Sequence, residues 1–107
     1  METSFNTEAA KNFFLSIKLI ANSRNGFPDR TCFGKGGHIF FVELKRPKED
    51  PRPNQYYWHR LLKRMGFRCY VCKTTDEAKK IFKLERRYQM DSSSIPTKRH
   101  RKRVSTK

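Results

Sequence analysis

The strongest pattern along the chain is the run Ile39, Phe40, Phe41, Val42 and Leu44, apolar at positions of both parities. A strand of this kind is covered on both faces, which calls for helices above and below and so for an α/β or α+β fold. Ahead of it lie Gly36-Gly37 and a mixed segment that starts at Pro28-Asp29 and reads as an antiparallel partner strand. Side chains alternate along a strand, so Glu43 and Lys45 project together while Leu44 points away. Whether Asp29 joins them depends on the turn. A two-residue Gly36-Gly37 turn sets Asp29 opposite Leu44, on the wrong face. A three-residue loop from Lys35 to Gly37 sets it opposite Glu43. Three-residue hairpin loops favour a glycine in the left-handed region. The sequence supplies two, so the longer loop, or a bulge that restores the same parity, is expected.

Residues 4–21 carry two periodicities at once. Ala10, Phe13, Phe14, Ile17 and Ala21 recur at helical spacing, while Phe13, Leu15, Ile17 and Leu19 alternate as in a strand. The pattern alone leaves both open. Residues 21–27 form a loop by their turn residues, with Arg24 placed to meet a phosphate. Pro47, Pro51 and Pro53 exclude regular structure between Arg46 and Pro53, and they prepare a helix start. That helix, about Asn54 to Met65, presents Trp58, Leu61, Leu62 and Met65 as an apolar face, with Gln55 and His59 on another side and Gly66 closing it. A strand follows over Phe67 to Lys73. Thr74 and Glu77 have capping-box spacing and open a last helix with Ala78, Ile81, Phe82 and Tyr88 inward. From Met90 the serines, Pro96 and a basic run predict disorder. The organisation expected is one domain over residues 1–89 and a basic tail over 90–107, without internal repeats.

Charge narrows the partner. The 107 residues hold 25 Lys and Arg against 10 Asp and Glu, a net +15, which points to a polyanion, most often nucleic acid. Six of the basic residues lie within 98–107, a run that suits phosphate binding or a localisation signal. The other 19 still outnumber every acid in the chain, so the body is basic in its own right. No stretch is apolar and long enough for a membrane span, and no secretory leader pattern opens the chain. An odd three cysteines do not form a disulfide framework, which suggests an intracellular setting.

Asp29, Glu43 and Lys45 are the candidate chemistry. Two carboxylates and an ammonium at a strand end can hold a hard divalent cation, which generates hydroxide and offsets charge on a phosphate. As ordinary surface charge they would be an odd choice beside a strand buried on both faces, because unpaired buried charge is costly.

At these residues the sequence resembles a known family. Gly26-Phe27-Pro28-Asp29-Arg30, the Gly36-Gly37 turn and Phe41-Val42-Glu43-Leu44-Lys45 are similar to the virus-type replication-repair nuclease domain, VRR-NUC. Arg52-Pro53-Asn54-Gln55, His59, Leu62, Gly66 and the strand around Tyr70 continue the match, over roughly residues 14 to 82. The family lies within the PD-(D/E)xK nucleases, together with restriction enzymes and Holliday-junction resolvases. The resemblance implies a restriction-endonuclease-like fold, a central mixed sheet flanked by helices, in which a short N-terminal helix precedes a strand containing Lys18. It implies DNA cleavage with Mg²⁺ or Mn²⁺ held by Asp29, Glu43 and the Leu44 carbonyl, and Lys45 acting on the water or the developing phosphate charge. Gln55 matches the family's glutamine, a support for the site, and Lys18 a basic position. With Arg24, Arg30, Arg46, Arg52 and His59, Lys18 makes up the expected nucleic-acid contacts, His59 being alternatively a surface histidine or one that assists a proton transfer. Family members carry an N-terminal glutamate toward the site. Glu8 is the candidate here, although an acid near a helix start is also what the macrodipole favours.

Stand-alone members look like structure-selective enzymes on branched or four-way DNA. Two symmetric cuts imply a homodimer, to which an exposed Trp58 would contribute, and a viral member would work in the cytoplasm of its host cell. Two other classes compete: a non-catalytic nucleic-acid-binding accessory protein on the same fold, and a zinc or redox module at Cys69-Tyr70-Val71-Cys72. Against the latter, residues three apart in a strand face opposite ways, and no second ligand pair completes a zinc site.

Overall fold

A computed structural model describes residues 2–19 and 26–94, with side chains up to 89. Its elements are α1 (Glu2–Lys11), β1 (Leu15–Ile17), β2 (Arg30–Gly34), β3 (His38–Leu44), α2 (Pro53–Arg64), β4 (Arg68–Cys72) and α3 (Thr75–Ser94). The four strands form one sheet in chain order, antiparallel from β1 to β3 and parallel between β3 and β4, with α2 as the crossover. This is the mixed sheet flanked by helices that the sequence called for.

β3 is covered on both sides. Its even positions Phe40 and Val42 meet Phe5, Ala9 and Phe14 of the α1 region and Ala78, Ile81 and Phe82 of α3. On the other face Phe41 packs with Leu62 of α2, Cys69, Phe27 and Phe67. Cys69 and Cys72 therefore belong to opposite cores, as their spacing predicts. All three cysteines are free and buried, and burial pushes the Cys69 and Cys72 thiols up to about 11. Such thiols suit packing and not redox work.

The β2–β3 turn decides the site. Gly34 pairs with His38 and Arg30 with Val42, so the connection is the three-residue Lys35–Gly37 loop. Gly36 and Gly37 both take positive φ, 75° and 80°, which the hairpin needs and other residues rarely adopt. Continued one step, this register sets Asp29 across from Glu43.

Several expectations change. Lys18 lies just past β1, outside the strand expected to contain it. The basic side chain of Arg30 does not face solvent. It is buried and donates to Ser16 Oγ at 2.9 Å, to Asn6 Oδ1 at 3.0 Å and to Glu2 Oε2 at 2.6 Å, so it fastens α1 to the sheet and is lost as a phosphate contact. On α2 the faces are redistributed. Met65 is exposed, whereas Gln55 and His59 are buried with Leu62, drawn in by a buried acid on β3. Trp58 is half-buried against Phe27, which removes the exposed tryptophan offered for a dimer interface. Thr74 caps α3 by accepting from Glu77 N–H at 3.1 Å, but the Glu77 carboxylate reaches one residue further back, to Lys73 N–H. Tyr88 is exposed, its ring covered by the Arg68 guanidinium at 4.0 Å, and the inward position is taken by Glu85. Finally, α3 continues through residues 90–94, where disorder was expected, because no helix breaker precedes Pro96. The rest of the expected tail, from residue 95, and Arg24 lie outside the described residues.

Candidate active site

Asp29, one residue before β2, and Glu43, near the end of β3, share the sheet face turned toward α2. Glu43 is 1% exposed. Its Oε2 accepts from Gln55 Nε2 at 2.9 Å and lies 3.8 Å from Lys45 Nζ, the ammonium carried two residues on along the same face. Gln55 owes its place to the helix start. Pro53 occupies the first helical turn, and Gln55 reaches back so that its Oε1 accepts from Arg52 N–H at 2.7 Å. With its oxygen so engaged, the amide can present only its NH₂ to Glu43. Gly26 allows this approach, since a Cβ there would sit 2.7 Å from the Asn54 carbonyl carbon.

The other oxygen, Glu43 Oε1, is buried without a hydrogen-bond partner, and so is His59 Nε2, 4.0 Å away. Only three buried side-chain polar atoms among the described residues stand so, and two of them meet here. Unsatisfied buried acceptors are rare and costly, and they mark places where an ion or water belongs. Asp29 Oδ2 accepts from Leu44 N–H at 2.9 Å. Burial first, and then the neighbouring Glu43 carboxylate, push Asp29 up to about 6, against the opposing pull of the Leu44 amide and Lys45. A carboxyl raised by burial beside a second carboxylate is an arrangement that a cation relieves.

A recess of about 230 Å³ lined by Asp29, Glu43, Leu44, Lys45, Arg52 and Gln55 adjoins a wider cleft of about 560 Å³. Lys18, Arg46 and Lys73 stand on the cleft wall, and so does Glu2 from the start of α1. Of the expected contacts, Lys18, Arg46 and Arg52 are thus at the site and exposed, while buried His59 sits behind Glu43 and cannot touch DNA. Glu8 is buried along α1, paired with Lys11 at 3.6 Å and away from the cleft. Glu2 is the acid that α1 turns toward the cleft. Its signal in the sequence was an acid in the first turn of a helix that periodicity left ambiguous. Among the described residues no three His, Cys, Asp or Glu side chains converge as a metal cage. The donor set is two carboxylates beside a backbone, which suits a hard ion that keeps waters and does not suit zinc.

No family model matches the sequence. A curated relative does: "Putative nuclease p44" of Acyrthosiphon pisum secondary endosymbiont phage 1 is 34% identical over 70 residues, 65% of this chain and 75% of that protein. A solved structure described as a VRR_NUC domain superposes with a TM-score of 0.68 over 77% of this chain and 89% of its own, at 24% identity. The chain belongs to the family of this phage nuclease, and its fold is that of a VRR-NUC domain. Glu43 lies where open α/β sheets bind ligands, toward the carboxyl end of a central strand. Among the described residues no helix is long and apolar enough to cross a membrane.

Proposed function

We propose that this chain is a Mg²⁺- or Mn²⁺-dependent deoxyribonuclease that hydrolyses phosphodiester bonds in branched DNA, in the manner of Holliday-junction resolvases. The observation that carries the reading is the buried, unpartnered Glu43 Oε1 beside an Asp29 pushed up to about 6. Asp29, Glu43 and the Leu44 carbonyl would hold the ion. A bound ion of this kind lowers the pKa of its water and offsets charge on the scissile phosphate.

The protein's own groups do the rest. Gln55, fixed at both ends, keeps Glu43 in one rotamer. Lys45 stands 3.8 Å from Glu43, close enough to orient the attacking water and to meet charge that develops on the phosphate. Lys18, Arg46 and Arg52 on the walls meet the flanking phosphates, contacts that give affinity and register but no sequence preference.

The test incubates the purified protein with a labelled four-way junction, a splayed duplex and a linear duplex in Mg²⁺, Mn²⁺ or EDTA, beside Asp29→Ala and Lys45→Ala. Metal-dependent cutting that both substitutions abolish, with the branched substrates preferred, is the expected result. Binding without cutting in every metal would reassign the chain as a non-catalytic accessory protein.

A further inference from the structure

A second groove, separate from the cleft, runs between α1 and α3. Its volume is about 400 Å³, and Lys79, Lys83, Arg86 and Arg87 of α3 line it. Its one acid, Glu8, is already paired with Lys11. None of the four cations has an ion-pair partner among the described residues, and all are exposed. Lys79 with Lys83 and Lys83 with Arg87 are like charges four apart on one helix, an arrangement that weakens a helix.

The mouth of the groove holds an independent anomaly. α1 ends in a Schellman motif, with Phe14 N–H donating to Ala9 C=O at 2.9 Å and Phe13 N–H to Ala10 C=O at 3.1 Å. The left-handed position of that motif belongs to glycine, yet Phe13 occupies it at φ 65°, the sole non-glycine residue with positive φ among those described. Its ring is 76% exposed, and the Arg86 guanidinium lies 5.4 Å from its centre. Apart from that one cation–π contact, neither the charge row nor the strained, solvent-facing aromatic ring adds to the packed core. An outlier of that kind is grounds for looking to function. Together they make the pair of features that single-stranded nucleic acid uses: a basic track for the backbone and an aromatic face for an unpaired base.

We propose that the α1–α3 groove, with Phe13, binds an unpaired nucleic-acid strand that leaves the cleft. Glu2 is at the cleft, and Asn12 at the groove. Ten residues of helix rise about 15 Å, which is about four nucleotide steps at duplex spacing and fewer for an extended unpaired strand. The inference rests on the nuclease reading of the cleft and narrows its branched substrates to those with a single-stranded arm close to the cut, the splayed duplex ahead of the fully paired four-way junction.

The experiment measures binding of the full chain, in EDTA, to a duplex with a single-stranded tail of about 10 nucleotides and to the same duplex blunt-ended. Phe13→Gly restores the residue that the motif favours. It is expected to melt at or above the parent temperature and yet to bind the tailed DNA roughly 5- to 100-fold more weakly, with blunt-duplex affinity unchanged. Lys83→Gln/Arg87→Gln is expected to flatten the slope of log K against log salt on tailed DNA by about 1.4, two single-strand phosphate contacts. Tailed-DNA affinity unchanged in Phe13→Gly overturns the proposal. So does an equal loss from Arg60→Gln/Arg64→Gln on α2, across the sheet, which would mean that total charge alone matters. Because binding is read without metal, failure of the groove stays distinguishable from failure of the nuclease, which only cutting reports.

Discussion

A buried glutamate stands at each end of β3, Glu43 on the strand itself and Glu85 reaching in from α3, and the two clusters are built in opposite ways. At the His38 end, on the α3 face, Glu85 is fully buried and fully partnered. It takes hydrogen bonds from Arg68 Nη2 at 2.8 Å, Arg68 Nε at 2.5 Å and Tyr70 OH at 2.5 Å, and it pairs with His38 Nε2 at 2.6 Å. Burial by itself would raise its carboxyl, but the bonds from Arg68, Tyr70 and His38 outweigh burial and hold it below the usual carboxylate range. At the Leu44 end, on the α2 face, Glu43 is buried to the same degree, but one oxygen has no donor and the neighbouring Asp29 is pushed up. Both clusters carry charge in a small core. The satisfied one is a clamp that ties α3 to two strands. The other leaves a buried acceptor open, the kind of deficit that folds keep at working sites.

This contrast can be broken by substitution. The largest stability effect belongs to the clamp: Glu85→Ala strands His38 and Arg68 and is expected to cost about 3–5 kcal/mol, read by urea denaturation. A loss below about 1 kcal/mol would mean that the cluster is not a structural tie. Next comes Gln55→Ala, which frees Glu43 to rotate and leaves another polar atom unmatched. Supporting residues of this kind are worth about 10- to 100-fold in metal affinity or activity, so cutting should fall by that factor while the far-UV spectrum holds.

The smallest effect has the opposite sign. Asp29 has its folded pKa raised to about 6, so folding favours its neutral form. Its charge therefore weakens the metal-free protein above that pH, and the penalty fades as the pH falls from 6 toward its ordinary value near 4. Asp29→Asn should stabilise the metal-free chain at pH 8 by on the order of 1 kcal/mol, the full shift being cut by the solvent that reaches this half-buried group. The gain should vanish by pH 4. A variant that melts higher and cuts nothing would show that the acid is kept for function against stability.

The two ends also differ in how far the sequence disclosed them. Side-chain parity and the two glycines were enough to place Asp29 against Glu43 with Lys45 beside it, because strand alternation is strict and the turn fixes the register. The αL glycines and the run of both-face apolar residues were local signals. Gln55 was visible as a motif letter, but its burial with His59 was not. Periodicity read the apolar residues of α2 as the inward face, and it could not see that a buried acid on β3 would draw polar side chains in. Arg30 misled for the same reason, since its partners Glu2, Asn6 and Ser16 are 28, 24 and 14 residues distant. Glu85 did leave a trace: it follows Ala78, Ile81 and Phe82 at the i+7 place of their stripe, where an acid is out of character. Phe13 left none, because its exposure depends on where α1 stops.

The central claim is that the Leu44 end of β3 binds a divalent cation through Asp29 and Glu43. Calorimetric titration of Mn²⁺ into the parent and into Glu43→Gln, at pH 7.5 and at pH 5, tests it most directly. The account predicts binding by the parent that weakens at pH 5, as Asp29 takes up its proton, and that is lost in Glu43→Gln at both values. Equal Mn²⁺ binding by the two proteins at pH 7.5 would contradict it.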